Sequence, residues 1–311
     1  MTRAQDAALA YVRAQSSRGD APETARLTIN LHPDRIASDG RATLAALLDD
    51  GEVRTQFETG ISAGGLDEVM GGARSRWEHM MFGGAYDHAA AGERPRYGAL
   101  SLTLDPWGGC PRFGSSHLIL RPHLRDRATF TWGDSATEPT AYGTWGNLGA
   151  VLMAARDEAW TELRAEPRPP EQLLDVYVEA QIHSTVRLDR DVQALVLDGS
   201  FRDTEIGGLG EAVARRHDVE LVWAPAREVD ADFLDPTFRT WTSPLLAMDI
   251  HRRLARTGQR LDAELIGRAA AEIVRSSGSG WEAYGDATRA LQELKYLWHH
   301  LVAFGTPQDC R

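Results

Sequence analysis

The run Tyr177-Val178-Glu179-Ala180-Gln181-Ile182-His183 sets a phenol, a carboxylate, a carboxamide and an imidazole at every second position. Successive side chains of a strand point to opposite faces, so these four polar groups share one face, with Val176, Val178, Ala180 and Ile182 on the other. A carboxylate held among hydrogen-bonding groups on a rigid strand can stabilise a developing cation or move a proton. The same pattern also suits an edge strand with a polar outer face. A second set is Leu31-His32-Pro33-Asp34-Arg35, where Pro33 fixes its own φ and keeps His32 out of the helical region, so the imidazole leaves a strand end at a defined angle. In the plainer alternative Asp34 and Arg35 simply pair at the surface. A third set runs from Arg54 to Ser62, with Arg54, Gln56 and Glu58 on one strand face and Thr59 and Ser62 at its end. A buried Arg54 and Glu58 would require each other as partners. The clusters Gly114–His117 and Gly133–Ser135 are weaker and read mainly as turns. His299 and His300, beside Trp298 and Tyr296, read as packing residues of an apolar helix.

The elements that position these residues follow from hydrophobic periodicity. A helix is expected over residues 4–15, then a strand at RLTINLH that delivers His32 to its end, then a helix at ATLAALLDDG and a second strand at EVRTQFETGIS. The glycine-rich stretch 63–73, with Gly64, Gly65, Gly71 and Gly72, is expected to form a mobile cover before a short helix around Trp77 to Phe82. Strands are expected at RPRYGALSLTL, SSHLILRP, RATFTW and DVQALVLD, and a helix at GAVLMAARDEAWTELRAE. Beyond about residue 205 the pattern becomes helical, broken by VELVWAP and closing on ATRALQELKYLWHHLVAFG.

Composition sets outer limits. The 311 residues are 42% hydrophobic and carry a formal charge of −11, which argues against binding a nucleic-acid backbone through bulk charge. Cys110 and Cys310 are far apart and read as free thiols. The N-terminus lacks an apolar leader and no run approaches the roughly 18 apolar residues a membrane span needs, so a cytoplasmic protein without a membrane partner is expected.

The strings LHPDR, RTQFETGISAGGL, RPRYGAL, RFGSSHLIL and EAQIHSTVRLDRDVQALVLD resemble a bacterial family known only as domain of unknown function 3626, over roughly residues 25–205. The order of these blocks is also similar to the ADP-ribosyltransferase superfamily: a first strand bearing His or Arg, a helix, a second strand ending in Ser or Thr, and a late strand bearing the catalytic Glu. That resemblance implies an α+β, ADP-ribosyltransferase-like fold with a split, mostly antiparallel sheet. Residues 1–24 would form an N-terminal helix and linker, 25–205 the catalytic domain and 206–311 a mostly helical region. It implies NAD as substrate, with His32 or Arg35 at its ribose or phosphate, Thr59 and Ser62 as the second-strand hydroxyls and Glu179 as the catalytic carboxylate. The superfamily usually places Gln or Glu two residues before that Glu. Here Tyr177 precedes it and Gln181 follows, which leaves the acceptor open among protein, nucleic acid, small molecule and water.

Cleaving the nicotinamide–ribose bond builds positive charge on the ribose, which Glu179, with Gln181 beside it, would stabilise in an oxocarbenium-like state. Arg54, Arg35 and backbone amides of the glycine-rich stretch would serve the pyrophosphate, and Tyr97, Tyr86 or Phe82 would stack on the nicotinamide. The expected activity is thus that of an ADP-ribosyltransferase or NAD glycohydrolase using no metal. Two other classes stay open: a metal-dependent hydrolase with His32, Asp34, Glu179 and His183 as ligands, though no HExxH-type motif is present, and a non-catalytic interaction module.

Overall fold

The computed structural model describes residues 1–60, 71–103, 105–157, 174 and 177–308. Ser62, Gly64, Gly65 and Val176 lie outside the described residues. The strands are β1 (Arg26–Leu31), β2 (Glu52–Val53), β3 (Arg96–Ser101), β4 (Ser116–Leu120), β5 (Ala128–Trp132), β6 (Tyr142–Thr144), β7 (Val178–Ile182), β8 (Val186–Arg187), β9 (Val192–Asp198), β10 (Glu220–Ala224), β11 (Ala226–Glu228) and β12 (Thr306–Gln308). The helices are α1 (Arg3–Gln15), α2 (Thr43–Asp50), α3 (Gln56–Thr59), α4 (Ala73–Met81), α5 (Gly149–Asp157), α6 (Leu188–Asp191), α7 (Glu205–His217), α8 (Thr242–Leu254), α9 (Ala263–Arg275) and α10 (Ala287–Phe304).

Eight strands hydrogen-bond into one sheet in the order β10-β9-β4-β1-β3-β7-β5-β6. Every neighbouring pair is antiparallel except β9 and β10. The protein is therefore a mixed α+β chain with a large, mostly antiparallel sheet. That sheet is continuous, where a split one was expected, because β1 pairs on both sides and joins what would be two halves. The parallel β9–β10 pair requires a crossover, which α7 supplies. It packs so closely that a Cβ at Gly210 would lie 2.4 Å from Leu197 Cδ1. The C-terminal third thus gives a strand to the main sheet, and the change of pattern near residue 205 falls inside one strand–helix–strand unit.

Strand β7 has neighbours on both sides, so it is no edge strand. Val178, Ala180 and Ile182 enter a core shared with Leu27 and Ile29 of β1, Leu118 and Leu120 of β4, Phe130 of β5, Leu44 and Leu47 of α2 and Val213 of α7. The opposite face carries Glu179, Gln181 and His183, and α4 with the residues after it covers part of that side through Trp77, Phe82 and Tyr86. A second core is built by α8, α9 and α10 around Leu246, Ile250, Leu265, Ile273, Leu294 and Trp298.

The second strand expected over EVRTQFETGIS is confined to Glu52–Val53 in the described residues. Thr55-x-x-Glu58 is a helix-start signature, and here the Glu58 carboxylate accepts from the Thr55 amide at 2.7 Å while Gly60, with φ of 63°, closes α3. Arg54, Gln56 and Glu58 therefore do not share a strand face. Arg54 pairs with Asp39 (2.9 Å) and Asp50 (3.0 Å) instead of Glu58.

Candidate active site

Glu179 is 4% exposed and accepts four hydrogen bonds. Its Oε2 takes the Ser135 amide (3.2 Å), the Ser135 hydroxyl (3.3 Å) and the Tyr177 hydroxyl (3.2 Å); its Oε1 takes the Gln181 amide nitrogen (3.0 Å). Ser135 in turn accepts from Arg74 at 2.6 Å, and that guanidinium lies over the Tyr97 ring, 4.1 Å from its centroid. Burial first, then the carboxylate of Asp134, push the Glu179 carboxyl up to about 7, against the pull of Arg74, Gln181 and the Ser135 amide. The group is thus poised near neutrality, where a carboxyl can change charge state during a reaction.

The polar network continues away from the carboxylate. Thr129 donates to Gln181 Oε1 at 2.7 Å and lies 2.9 Å from His183 Nε2, while the Tyr86 hydroxyl lies 2.6 Å from His183 Nδ1. With the Thr129 proton spent on Gln181, the imidazole must donate from Nε2 and accept at Nδ1, so it is neutral. Burial lowers its pKa to about 3, in keeping with that tautomer. Replacing Thr129 by Val would strand both Gln181 Oε1 and His183 Nε2–H in the interior. A loss of about 1–3 kcal/mol is expected, read as a lower melting temperature than that of Thr129→Ser, which keeps the hydroxyl; equal melting temperatures would show that the network contributes nothing.

Glu179 opens onto a cavity of about 430 Å³, within the range of small-molecule sites. The end of β1 contributes Asn30, Leu31 and His32, the following turn Asp34 and Arg35, and α3 Gln56 and Thr59. Tyr97, Arg112, Phe113 and Asp134 line it from the sheet side, and α9 and α10 close it with Ile266, Gly267, Leu291, Gln292, Lys295 and Trp298. Six cationic side chains, Arg35, Arg54, Arg74, Arg96, Arg112 and Lys295, face four carboxyl groups, Asp34, Glu52, Asp134 and Glu179. Two of these carboxyls are partly protonated near neutrality, since burial pushes Asp34 as well as Glu179 up to about 7. The lining thus carries more cationic than acidic side chains, with Arg54 paired to Asp39 and Asp50 and Arg112 to Asp134.

Of the residues singled out in the sequence, His32, Arg35, Arg54, Thr59, Tyr97 and Glu179 all line this one cavity. Gln181 stands behind Glu179 and is fully buried. Ser62 lies outside the described residues. His32 is a neutral imidazole, its pKa lowered to about 3 by burial and then by Arg35, and its ring meets Trp298 edge-on at 5.1 Å. Asp34 does not simply pair with Arg35 at the surface: both line the cavity, and the Asp34 carboxylate rests on Gly267 of α9. Thr59 turns its hydroxyl back to the Thr55 carbonyl at 3.2 Å. Tyr97 gives its hydroxyl to Glu78 at 2.9 Å and one ring face to Arg74. Tyr86 and Phe82 instead pack on His183. Both nitrogens of His183 are engaged inside the sheet-side network, so it cannot join His32, Asp34 and Glu179 as a metal ligand. Among the described residues no three of His, Cys, Asp and Glu converge as a metal set.

Arg74, Arg112, Lys295 and Trp298 were not singled out as site residues. Arg74 and Arg112 each lie two residues from a glycine in otherwise ordinary segments. Lys295 and Trp298 belong to a helix whose apolar pattern reads as packing. The one available signal was the spacing Leu291, Gln292, Lys295, Trp298, a helical face that mixes polar and apolar groups.

Fold and cavity define a mixed α+β protein with a cavity lined by both cationic and acidic side chains, among them the buried Glu179. The chain belongs to the family described as a protein of unknown function (DUF3626), whose model matches residues 26–166 and 161–304. It is 38% identical over 182 residues to the "Gene 2 protein" of Mycobacterium phage D29, covering 54% of this chain and 66% of that protein. It is 28% identical over 163 residues to the "Gene 2 protein" of Mycobacterium phage L5, covering 48% and 59% respectively. The chain thus spans less than two-thirds of the length of either relative. No helix among the described residues is long and apolar enough to cross a membrane.

Proposed function

We propose that this chain cleaves the nicotinamide–ribose bond of NAD, as an ADP-ribosyltransferase or NAD glycohydrolase, with Glu179 stabilising the cationic ribose. The observation that carries this reading is the meeting of Glu179 with His32 and Arg35 in one cavity, although they come from β7 and from the end of β1, with β3 between those strands. An ionised carboxylate in a site that water enters poorly stabilises an oxocarbenium-like state far better than it would in bulk water. Four donors fix Glu179, so it needs no rearrangement at the moment the bond breaks. Arg35 supplies a cation for the diphosphate. Arg54, tied to Asp39 and Asp50, contributes field and shape more than a direct contact. Phe113, edge-on to Tyr177 at 5.7 Å, lines the cavity and offers a surface for a planar ring. Gln56 Oε1 is buried without a hydrogen-bond partner among the described residues, an acceptor that a ligand donor would satisfy.

The ionised form of Glu179 is the active one in this mechanism, and its carboxyl titrates at about 7. Nicotinamide release, followed as kcat/KM against pH, is expected to rise about tenfold per pH unit on the acid side and to level off above neutrality. A profile that is flat through pH 7, or that falls, would reject the assignment of Glu179.

A further inference from the structure

Helix α8 carries two apolar faces, and the described residues cover only one of them. Leu246, Ala247 and Ile250 are buried in the second core. On the outside Trp241 is 68% exposed, and Leu245 and Met248 are each 43% exposed. Trp241 precedes the helix with helical φ and ψ of −70° and −16°, so Trp241, Leu245, Met248 and Arg252, at i, i+4, i+7 and i+11, fall on a single stripe. The turn Ala231–Phe233 packs against the same helix and adds Phe233, which is 82% exposed. Apolar residues exposed singly are ordinary, but large ones grouped on one helix face mark a contact surface.

We propose that the chain forms a symmetric dimer through this face, with α8 packed antiparallel on α8 of a second copy. The stripe reads the same from either end: its midpoint lies between Leu245 and Met248, and Trp241 and Arg252 stand equally far beyond them. A two-fold axis at that midpoint therefore sets Leu245 on Met248 and Trp241 under Arg252 of the other copy, twice over. Arg252 is exposed and holds Asp249 through one edge of its guanidinium, which leaves the planar face able to stack on an indole. The area also suits a second copy. Trp241, Leu245 and Met248 together expose on the order of 300 Å² of apolar surface, which a symmetric pair doubles. Since apolar atoms make up about 60% of an interface, the total reaches the roughly 1,000 Å² that specific association requires. Among the described residues α8 lines no part of the cavity, so the dimer leaves the site open and does not depend on the NAD-cleaving reading.

The test is sedimentation equilibrium of the full chain, which is expected to give twice the chain mass at concentrations above the micromolar range, where interfaces of this size dissociate. Leu245→Glu and Met248→Lys each set a charge against an apolar side chain of the other copy. Each is expected to weaken the dimer at least about tenfold, with the circular dichroism unchanged because both side chains lie on the surface. Mixing the two variants gives a sharper result. The introduced carboxylate of one then meets the introduced ammonium of the other, while Met248 of the first keeps Leu245 of the second, so the mixture is expected to dimerise more tightly than either variant alone. Should one variant not fold, Trp241→Ala, which takes the indole from Arg252, replaces it and must weaken the dimer likewise. A parent that stays monomeric above the micromolar range, leaving the face to a different protein, would overturn the proposal. So would single variants that dimerise like the parent, or a mixture of the two folded variants no tighter than its components.

Discussion

Glu179→Gln is expected to lower nicotinamide release from NAD at least about a hundredfold, the scale on which removal of one electrostatic stabiliser acts, while the circular dichroism of the folded chain stays unchanged. Gln keeps the size and part of the hydrogen bonding but removes the charge that the ribose cation needs. The same substitution carries a second signature of opposite sign. Because burial and Asp134 raise the folded-state pKa of Glu179 from 4.5 to about 7, the protonated carboxyl stabilises the fold at low pH, and that contribution is lost as pH rises through about 7. The melting temperature of Glu179→Gln should therefore gain on that of the parent between acid and mildly alkaline pH. Loss of turnover together with that relative gain in stability marks a group kept charged for function at a cost to the fold. Turnover at the parent's rate would make Glu179 structural, and a pH-independent gap in melting temperature would show that its carboxyl is not raised.

Gly267→Ala is the second large expected effect. Gly267 lies inside α9, where Ala is ordinarily favoured over Gly by about 1 kcal/mol, so propensity alone predicts a more stable protein. A Cβ at this position, however, would lie 1.4 Å from Asp34 Oδ2 and 2.5 Å from its Cγ. The Asp34 carboxyl group, the end of a flexible side chain, must swing aside to admit that Cβ, and strained or lost packing of this kind costs up to about 1–3 kcal/mol. We expect Gly267→Ala to lower the melting temperature and to raise KM for NAD, because Asp34 sits two residues from His32 and its side chain lies against α9 at Gly267. In an Asp34→Ala background the same change should become neutral or stabilising, giving a coupling energy of about 1–3 kcal/mol in the double-mutant cycle. Additive effects, or a Gly267→Ala protein as stable as the parent, would mean that the carboxylate rests elsewhere in solution.

The sequence by itself determined the elements with strong local patterns. Alternation located β1 and β7, because a strand between a core and a different environment needs one residue type on each face, and β-rich runs located β3, β4, β5 and β9. Pro33 and the strand before it were enough to place His32 at a strand end, and the period of two was enough to put Glu179 and Gln181 on the same side. The helix α3 was also written locally, in Thr55 and Glu58, but the alternation of Val53, Thr55, Phe57 and Thr59 masks the capping signal when periodicity is read first.

Only the tertiary structure decided what the polar face of β7 meets. A strand with polar residues on one side can face solvent or a buried network, and the choice rests on which strands pair with it: β3 and β5, brought from distant parts of the chain. The cavity likewise depends on the C-terminal helices, whose sequences satisfy their own core through Leu294, Leu297 and Leu301. A face that mixes polar and apolar groups, as Leu291, Gln292, Lys295 and Trp298 do, marks a helix side that is not wholly core, but does not tell a cavity wall from a surface, so the place of Lys295 and Trp298 was not legible. The raised carboxyl of Glu179 has the same origin. Desolvation and the nearness of Asp134 come from long-range packing, and neither is encoded in the residues beside Glu179.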